Sequence, residues 1–553
     1  MWRLFFYLLP LIGMVSSRTP LFDRAIEEIF ADTKPGEYIC QETGQMFERT
    51  KADIELYRSL KLCPSRLSPH ARFRRTASRV GGFELYKREV KGQQMISVFD
   101  PESPAKLIPS ADFFGDTFDA REYGVPYDVS RPFFEQWKTF SAGVPRPVIF
   151  QDPASQNSPW ALYDLGFKNC YFTYAGLEIA DCCYADLCVG SSHLVDATSC
   201  VRTEWSYECV NCIDCSRLAY SERCAASQRL YFCADCRDCQ DCFGCINLRN
   251  KKFCFLNEQL DEEAYRQKLA SCNLRDPKVV EAWRERVRVE IWSASVRRAC
   301  ATAASEHSQG DDLVSCRYVD GVDIVDAERV RSSAGLSVAR DCIDMLPAVE
   351  LERCASGMFN VNGYENIACV TVQDCVQVEY SESLFACEYC FGCIGIHHKK
   401  YCIFNVQYTE DEYWSLVDRI KAQMVKEGVY GEPLPYDTSL FAYNGSFALA
   451  IDPLTRTEAK GLGARWYRFP EVSGTRPFRT VKPEEELIEL LGVALPTEHP
   501  TTRRLRRMKD LQPFTLVDRV CMRCKTSVRS RFRQETAPQV VCERCYEELM
   551  LVA

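Results

Sequence analysis

The 553-residue sequence has little of what an active site usually requires. It contains only six histidines, and they are scattered without the spacing of a metal site or a catalytic triad. No GxSxG, HExxH or P-loop pattern occurs. We therefore expect a protein that is not an enzyme and has no small-molecule substrate. Thiol redox chemistry by its CxxC runs is the enzymatic alternative, and it would need accessible thiols of low pKa.

Positive net charge and long apolar runs are also missing. The formal net charge of −9 argues against a protein that coats polyanions. Beyond residue 17 no run approaches about 18 apolar residues, so no stable membrane span is expected. Residues 1–17 have one early arginine, an apolar stretch and terminal serines, which is typical of a signal peptide. We place the secretory pathway ahead of organelle targeting.

Cysteine is abundant, and its spacing is periodic. Of 32 cysteines, 26 lie between Cys170 and Cys402. From Cys170 to Leu248 and from Gly321 to Cys393, every third residue is small, apolar or cysteine, apart from Asn360 and Asn366. Charged residues lie at the other two positions of each three-residue period. This column is therefore expected to face inward.

A period of three excludes the common regular elements. In an α-helix three residues advance about 300°, so the column would wind around the axis. In a flat strand residues three apart point to opposite faces. A narrow solenoid with a corner every few residues fits the pattern. Its cysteines fill a narrow core as small apolar residues, with disulfide ladders and metal binding by the CxxC run as alternatives.

An internal duplication marks the ends of the two cysteine-rich regions. The segment from Cys242 to Tyr265 recurs 148 residues later, from Cys390 to Tyr413. A charged, helix-patterned stretch follows each copy, at 262–269 and 410–425. We expect these helices to cover the ends of the solenoids.

The most specific chemical signal lies near the C-terminus. Two CxxC pairs separated by 17 residues have the spacing of a zinc ribbon or treble clef. One Zn²⁺ site is therefore predicted, with these ligands: Cys521, Cys524, Cys542 and Cys545.

A second duplication, at an offset of 431, relates the two ends of the chain. It places Val90, Gln93, Ala111 and Phe114 where the C-terminal copy has its cysteines, so the N-terminal copy is expected to be metal-free. Cys40 and Cys63 are candidate remnants of another zinc pair, with Thr43 and Arg66 in place of the second ligands.

Basic residues of the C-terminal module are the candidates for contact with nucleic acid or a partner, because clustered arginines can bind phosphates. They are Arg503, Arg504, Arg506, Arg507, Arg529 and Arg531. A solvated helix face with ion pairs is the alternative.

The predicted fold is mainly β or irregular: a narrow solenoid in two cysteine-rich halves, flanked by small α+β zinc-ribbon-like modules, of which the C-terminal one is intact and the N-terminal one degenerate. The expected units are a targeting segment (1–17), the degenerate module with an aromatic linker (18–150), the first solenoid with its cap (151–272), a helical connector (273–310), the second solenoid with its cap (311–430), a linker (431–475) and the zinc module (476–553).

The segments YGVPYDVSRPFFEQW, CFGCINLRNKKFC and CFGCIGIHHKKYC and the terminal CxxC pairs occur in an order that resembles a family of uncharacterised cysteine-rich zinc-ribbon proteins abundant in candidate-phyla bacteria. The resemblance covers nearly the whole chain and implies zinc binding without an established activity. This chain lacks most of the family's N-terminal knuckle cysteines.

These observations together predict a zinc-binding structural scaffold or interaction protein that belongs to a larger assembly. The alternatives are a nucleic-acid-binding zinc-ribbon protein and a secreted disulfide-rich surface protein.

Overall fold

The computed structural model describes residues 17–151, 154–293, 296–469, 476–510, 516–535 and 537–550. The predicted targeting segment, apart from Ser17, lies outside the described residues. Within them the chain forms 28 strands, many paired in parallel sheets, and 13 α-helices.

The N-terminal module combines helices with short hairpins. Residue Thr50 caps its second helix through a reciprocal capping box with Asp53. The elements are α1 (Pro20–Asp32), β1 (Gly36–Ile39), β2 (Met46–Arg49), α2 (Lys51–Ser59), α3 (Pro69–Ala77), β3 (Tyr86–Val90), β4 (Gln93–Ser97), β5 (Leu107–Ile108), α4 (Ser110–Phe113), α5 (Phe133–Gly143) and β6 (Arg146–Pro147).

Residues 156–259 form what we call the first ladder. Its four-residue strands pair in parallel at a constant offset of twelve residues, as Cys242 does with Cys254. The strands are β7 (Leu162–Leu165), β8 (Tyr174–Leu177), β9 (Ser192–Val195), β10 (Glu204–Tyr207), β11 (Ser216–Ala219), β12 (Gln228–Tyr231), β13 (Gln240–Phe243), β14 (Lys252–Phe255) and the antiparallel β15 (Glu258–Gln259).

A left-handed backbone recurs at every third residue of the first ladder. Asp235, Asp238 and Asp241 have φ between 50° and 52°, each just before a cysteine of the predicted inward column. Aspartate and asparagine tolerate this conformation better than most residues, and they are frequent at these positions. The cysteines of the column are buried, as the period of three predicts.

Two helices and one strand follow the first ladder: α6 (Glu262–Ser271), α7 (Pro277–Arg286) and β16 (Arg297–Arg298). Helix α6 matches the predicted helix at 262–269 and contacts β14. Helix α7 continues into a π-helical turn at Val287–Trp292. Trp283 packs edge-on against Phe243, so α7 covers the aromatic side of the ladder.

Residues 302–407 form the second ladder. Its strands are β17 (Thr302–Ala303), β18 (Gln309–Val314), β19 (Asp320–Val325), β20 (Glu328–Ile343), β21 (Ala348–Glu352), β22 (Val376–Glu379), β23 (Glu388–Phe391), β24 (Lys400–Ile403) and the antiparallel β25 (Val406–Gln407).

The second ladder begins earlier than the sequence predicted. Its first strands pair at an offset of eleven residues, as Gln309 does with Asp320, and the register shifts to twelve at Gly321. The prediction of a helical connector over 273–310 is therefore wrong beyond Trp292. The eleven-residue spacing breaks the period of three, so the pattern could not be recognised there.

The C-terminal part comprises α8 (Glu410–Glu427), α9 (Ala448–Ile451), α10 (Arg456–Gly461), α11 (Lys482–Leu491), α12 (Pro500–Asp510), β26 (Val517–Val520), β27 (Ser527–Ser530), β28 (Val540–Val541) and α13 (Glu543–Met550). Helix α8 confirms the predicted helix at 410–425; it contacts β24 and also packs against α1.

The two ladders lie side by side and run in opposite directions. Tyr163, early in the first ladder, stacks on Phe359, whereas Arg223, later in that ladder, contacts Asp312 near the start of the second. Each terminal module packs against the ladder farther from it in sequence: α2 contacts β20, and α11 contacts β9 and β10.

Candidate metal centre

The four C-terminal cysteines meet at the end of a short hairpin. Cys521 and Cys524 lie in the turn between β26 and β27, Cys542 follows β28, and Cys545 lies in the first turn of α13. Their Sγ atoms all lie within 4.8 Å of one another, and those of Cys524 and Cys542 are 3.7 Å apart. The predicted ligands are thus brought together, and the group could hold a metal ion.

Local hydrogen bonds favour thiolates in this turn. The Lys525 N–H donates to the Cys521 carbonyl at 2.9 Å, with Lys525 in the left-handed region at φ 63°. The Cys542 N–H donates to the Cys521 Sγ at 3.3 Å. Hydrogen bonds from Thr526 lower the pKa of the Cys524 thiol to about 6. Metals bind the thiolate form of cysteine, so the turn is prepared for a cation.

The N-terminal module contains a similar turn without the other ligands. The Gly44 N–H donates to the Cys40 carbonyl at 2.9 Å, as Lys525 does to Cys521. The Ser68 N–H donates to the Cys40 Sγ at 3.3 Å, just before α3 begins. Ser68 therefore stands where the C-terminal site has Cys542.

This geometry corrects the pairing of Cys40 with Cys63. Cys40 packs with Leu67 and Ala71, whereas Cys63 lies at the edge of a separate apolar cluster. Among the residues that the structure describes, the C-terminal group is the only metal-binding candidate of three or more ligands.

Helix α12 turns its arginines inward, which corrects the prediction that Arg503, Arg504 and Arg507 contact nucleic acid or a partner. All three side chains are at most 3% exposed. Arg503 forms ion pairs with Asp196 and Glu484, and Arg504 pairs with Asp186 at 2.9 Å. These charges are neutralised within the protein and join the C-terminal module to the first ladder.

Arg531 is also buried, and its guanidinium lies 2.6 Å from Asp311 and 2.8 Å from Asp323 of the second ladder. The prediction that Arg531 contacts nucleic acid or a partner is therefore corrected in the same way. Arg529 and Arg506 remain partly exposed, with carboxylate neighbours in Asp320 at 3.4 Å and Glu208 at 2.9 Å respectively.

Sequence reasoning missed the carboxylates that receive these arginines. The two duplications indicate which carboxylates these are, because an offset of 431 relates Arg72 to Arg503 and an offset of 148 relates Asp196 to Asp344. The structure pairs Arg72 with Asp344 at 2.8 Å, as it pairs Arg503 with Asp196. The same contact thus fixes each module to the opposite ladder.

The ladder thiols lie in apolar surroundings. All 32 cysteines lie within the described residues and are unpaired there, and those in the inward column of the first ladder form one buried cluster with leucine and alanine. The Cys233 Sγ–H donates to the carbonyls of Tyr231 and Cys242 at 3.4 and 3.5 Å. Burial raises the pKa of the Cys182 and Cys369 thiols well above the usual range, which favours the neutral form. Hydrogen bonds from Cys233 and Cys242 instead lower the pKa of the Cys245 thiol to about 5.

None of the helices within the described residues is long and apolar enough to cross a membrane. Comparison with protein-family models and with curated proteins finds no match to this chain.

Proposed function

We propose that the chain is a non-enzymatic, zinc-binding scaffold or interaction protein and a component of a larger assembly. The observation that carries the proposal is the four-thiol group of Cys521, Cys524, Cys542 and Cys545 in a module that contacts both ladders.

Zinc is the metal that these donors suit best. Four thiolates without an additional ligand are typical of structural Zn²⁺ sites, in which Zn–S bonds of about 2.3 Å place sulfurs about 3.8 Å apart in a tetrahedron. The 3.7 Å between the Sγ atoms of Cys524 and Cys542 agrees with that separation. A closed sulfur site leaves no position for a catalytic water, so the metal's role is structural.

The zinc would stabilise a module that holds the ladders together. Strand β27 leads to Arg531, which binds carboxylates of the second ladder. Helix α13 carries Tyr546, whose hydroxyl accepts a hydrogen bond from Arg249 of the first ladder at 3.0 Å. Metal binding would therefore fix the relative position of the two ladders as well as the local hairpin.

We further propose that each ladder is a narrow solenoid with a cysteine-filled axis. A twelve-residue register and a left-handed residue every three positions, across the first ladder and most of the second, support this arrangement, as does the buried third-residue column. Cysteine fits such an axis because it is small and apolar when protonated.

Exposed apolar rows support an interaction role. Val189 and Ile213 on the first ladder, and Val314 and Val325 on the second, are 39–48% exposed. Contiguous apolar patches on a protein surface often mark contacts with other proteins.

Zinc content and hydrogen exchange test the proposal together. The wild type should contain one zinc per chain, and Cys542→Ser should contain none. Loss of zinc should speed exchange in 517–550 and in the contacting segment 297–312, while 209–224 stays protected. Cys63→Ser, a cysteine outside the group, is the matched control and should keep zinc and protection. A wild type without zinc, or a Cys542→Ser variant with unchanged exchange, would contradict the proposal.

A further inference from the structure

One row of residues on the surface of the first ladder changes from apolar to positively charged at its end. Successive parallel bridges connect Leu177, Val189, Val201, Ile213 and Ala225, and the row then continues through Arg237 and Arg249. Like charges directly opposite each other on neighbouring strands are destabilising. Two arginines stacked in this row therefore need an explanation.

A third arginine, Arg298 in β16, lies beside this pair. The Arg249 Nη2 donates to the Tyr546 hydroxyl at 3.0 Å, and the Arg298 guanidinium carbon lies 5.7 Å from the centre of the same ring. Partial burial and the neighbouring positive charges of Arg249 and Arg298 lower the pKa of Arg237. The three guanidinium groups thus face one region of the surface.

The nearby carboxylates neutralise this cluster only in part. Glu543 lies 3.5 Å from Arg298 and also accepts a hydrogen bond from Thr302. Asp235 is occupied by Arg297 at 2.8 Å. Arg237 is exposed, and within the described part of the chain its guanidinium has neither a hydrogen bond nor an ion pair.

The internal duplication shows that the fold does not require these charges. An offset of 148 places Phe385 and His397 at the positions of Arg237 and Arg249. In that copy, Phe114 of the N-terminal module packs against both side chains, with ring centroids 5.6 and 6.2 Å away. One copy therefore fills the place with aromatic side chains, whereas the other holds two arginines there. Arg237 is exposed, and Arg249 donates to the carbonyls of Asp235 and Leu248 and to the Tyr546 hydroxyl.

We propose that Arg237, Arg249 and Arg298 form a binding site for a phosphate group. Guanidinium groups offer paired N–H donors that match phosphate oxygens, and a bound phosphate anion would relieve the repulsion between the stacked arginines. This inference goes beyond the scaffold role and concerns residues that the terminal basic stretches do not include. The phosphate could be free inorganic phosphate or part of a nucleic-acid backbone, since both present the same oxygens.

Isothermal titration calorimetry at fixed ionic strength tests the site with two probes, inorganic phosphate and a short single-stranded oligonucleotide without terminal phosphates. We expect at least one probe to bind the wild type, and Arg237→Gln to weaken that binding roughly tenfold. Arg202→Gln removes one exposed positive charge from the same ladder, away from the cluster, and should leave affinity within about twofold. Binding of phosphate alone would identify the free ion, and binding of the oligonucleotide would identify the phosphodiester.

A stability measurement separates loss of binding from loss of folding. Without a phosphate source, Arg237→Gln should unfold at the same temperature as the wild type or higher, because a like charge is removed. The bound probe should raise the wild-type unfolding temperature and not that of the variant. Absence of binding by both probes, or equal weakening by Arg202→Gln, would overturn the proposal.

Discussion

Replacing Arg503 by leucine should destabilise the protein strongly. Its guanidinium lies between Asp196 and Glu484, and all three side chains are at most 1% exposed. Leucine would leave the buried Glu484 without its cation and Asp196 with Arg507 alone. Breaking a buried ion pair in this way costs about 3–5 kcal/mol. Lys482→Ala, which breaks an exposed pair in the neighbouring helix α11, should cost no more than about 0.5 kcal/mol.

The loss caused by Arg503→Leu should depend on pH. Burial already raises the pKa of Glu484 above its ordinary value, and removal of Arg503 takes away an interaction that lowers it. A carboxyl whose pKa is raised by folding destabilises the fold when ionised, and this penalty disappears as pH falls through the raised pKa. The deficit of the variant should therefore be largest at pH 7 and smaller at pH 5.

Urea unfolding at both pH values, followed by tryptophan fluorescence, measures this deficit. Arg72→Leu provides an internal replicate, because it leaves Asp344 unpaired in the other half of the molecule. A deficit below about 1 kcal/mol at pH 7, or one that does not shrink at pH 5, would refute the account of these arginines as buried cross-module contacts.

Three further substitutions or treatments test the packing and the metal. Gly392→Ala should lower the thermal unfolding temperature more than Gly166→Ala, because both residues have positive φ but only the first would place a Cβ 2.4 Å from Phe404; equal shifts would contradict the close approach of Phe404 to Gly392. Cys242→Ala should cost about 1 kcal/mol and Cys242→Leu more, by chemical denaturation, since the axis lacks room for a larger side chain; a stabilising leucine would contradict a filled axis. Chelation should lower the unfolding temperature of the wild type and not of Cys542→Ser. An equal shift in both would show that the chelator does not act by removing the metal from this site.

Local periodicity made part of this structure predictable. A column of cysteine, alanine and serine at every third residue indicates burial without any knowledge of long-range contacts, and the ladders place that column inside. The four ligands were predictable because CxxC turns are local. The same rule failed at 302–319, where eleven-residue spacing shifts the phase at Gly321.

Contacts between distant segments were not predictable from local pattern. RRLRR in α12 has the composition of a basic surface, but Asp186 and Asp196, more than 300 residues earlier, convert it to a buried interface. Cys40 likewise resembles half of a zinc knuckle, and only the fold shows that Ser68 occupies the next ligand position.

Native mass spectrometry with and without chelator, combined with a thiol count under denaturation, tests the central claim most directly. We predict one zinc per chain, its loss on chelation, and 32 reactive thiols in the denatured protein. Several zinc ions would contradict a core of protonated cysteines, and a count far below 32 would replace the thiol-filled axis with disulfides.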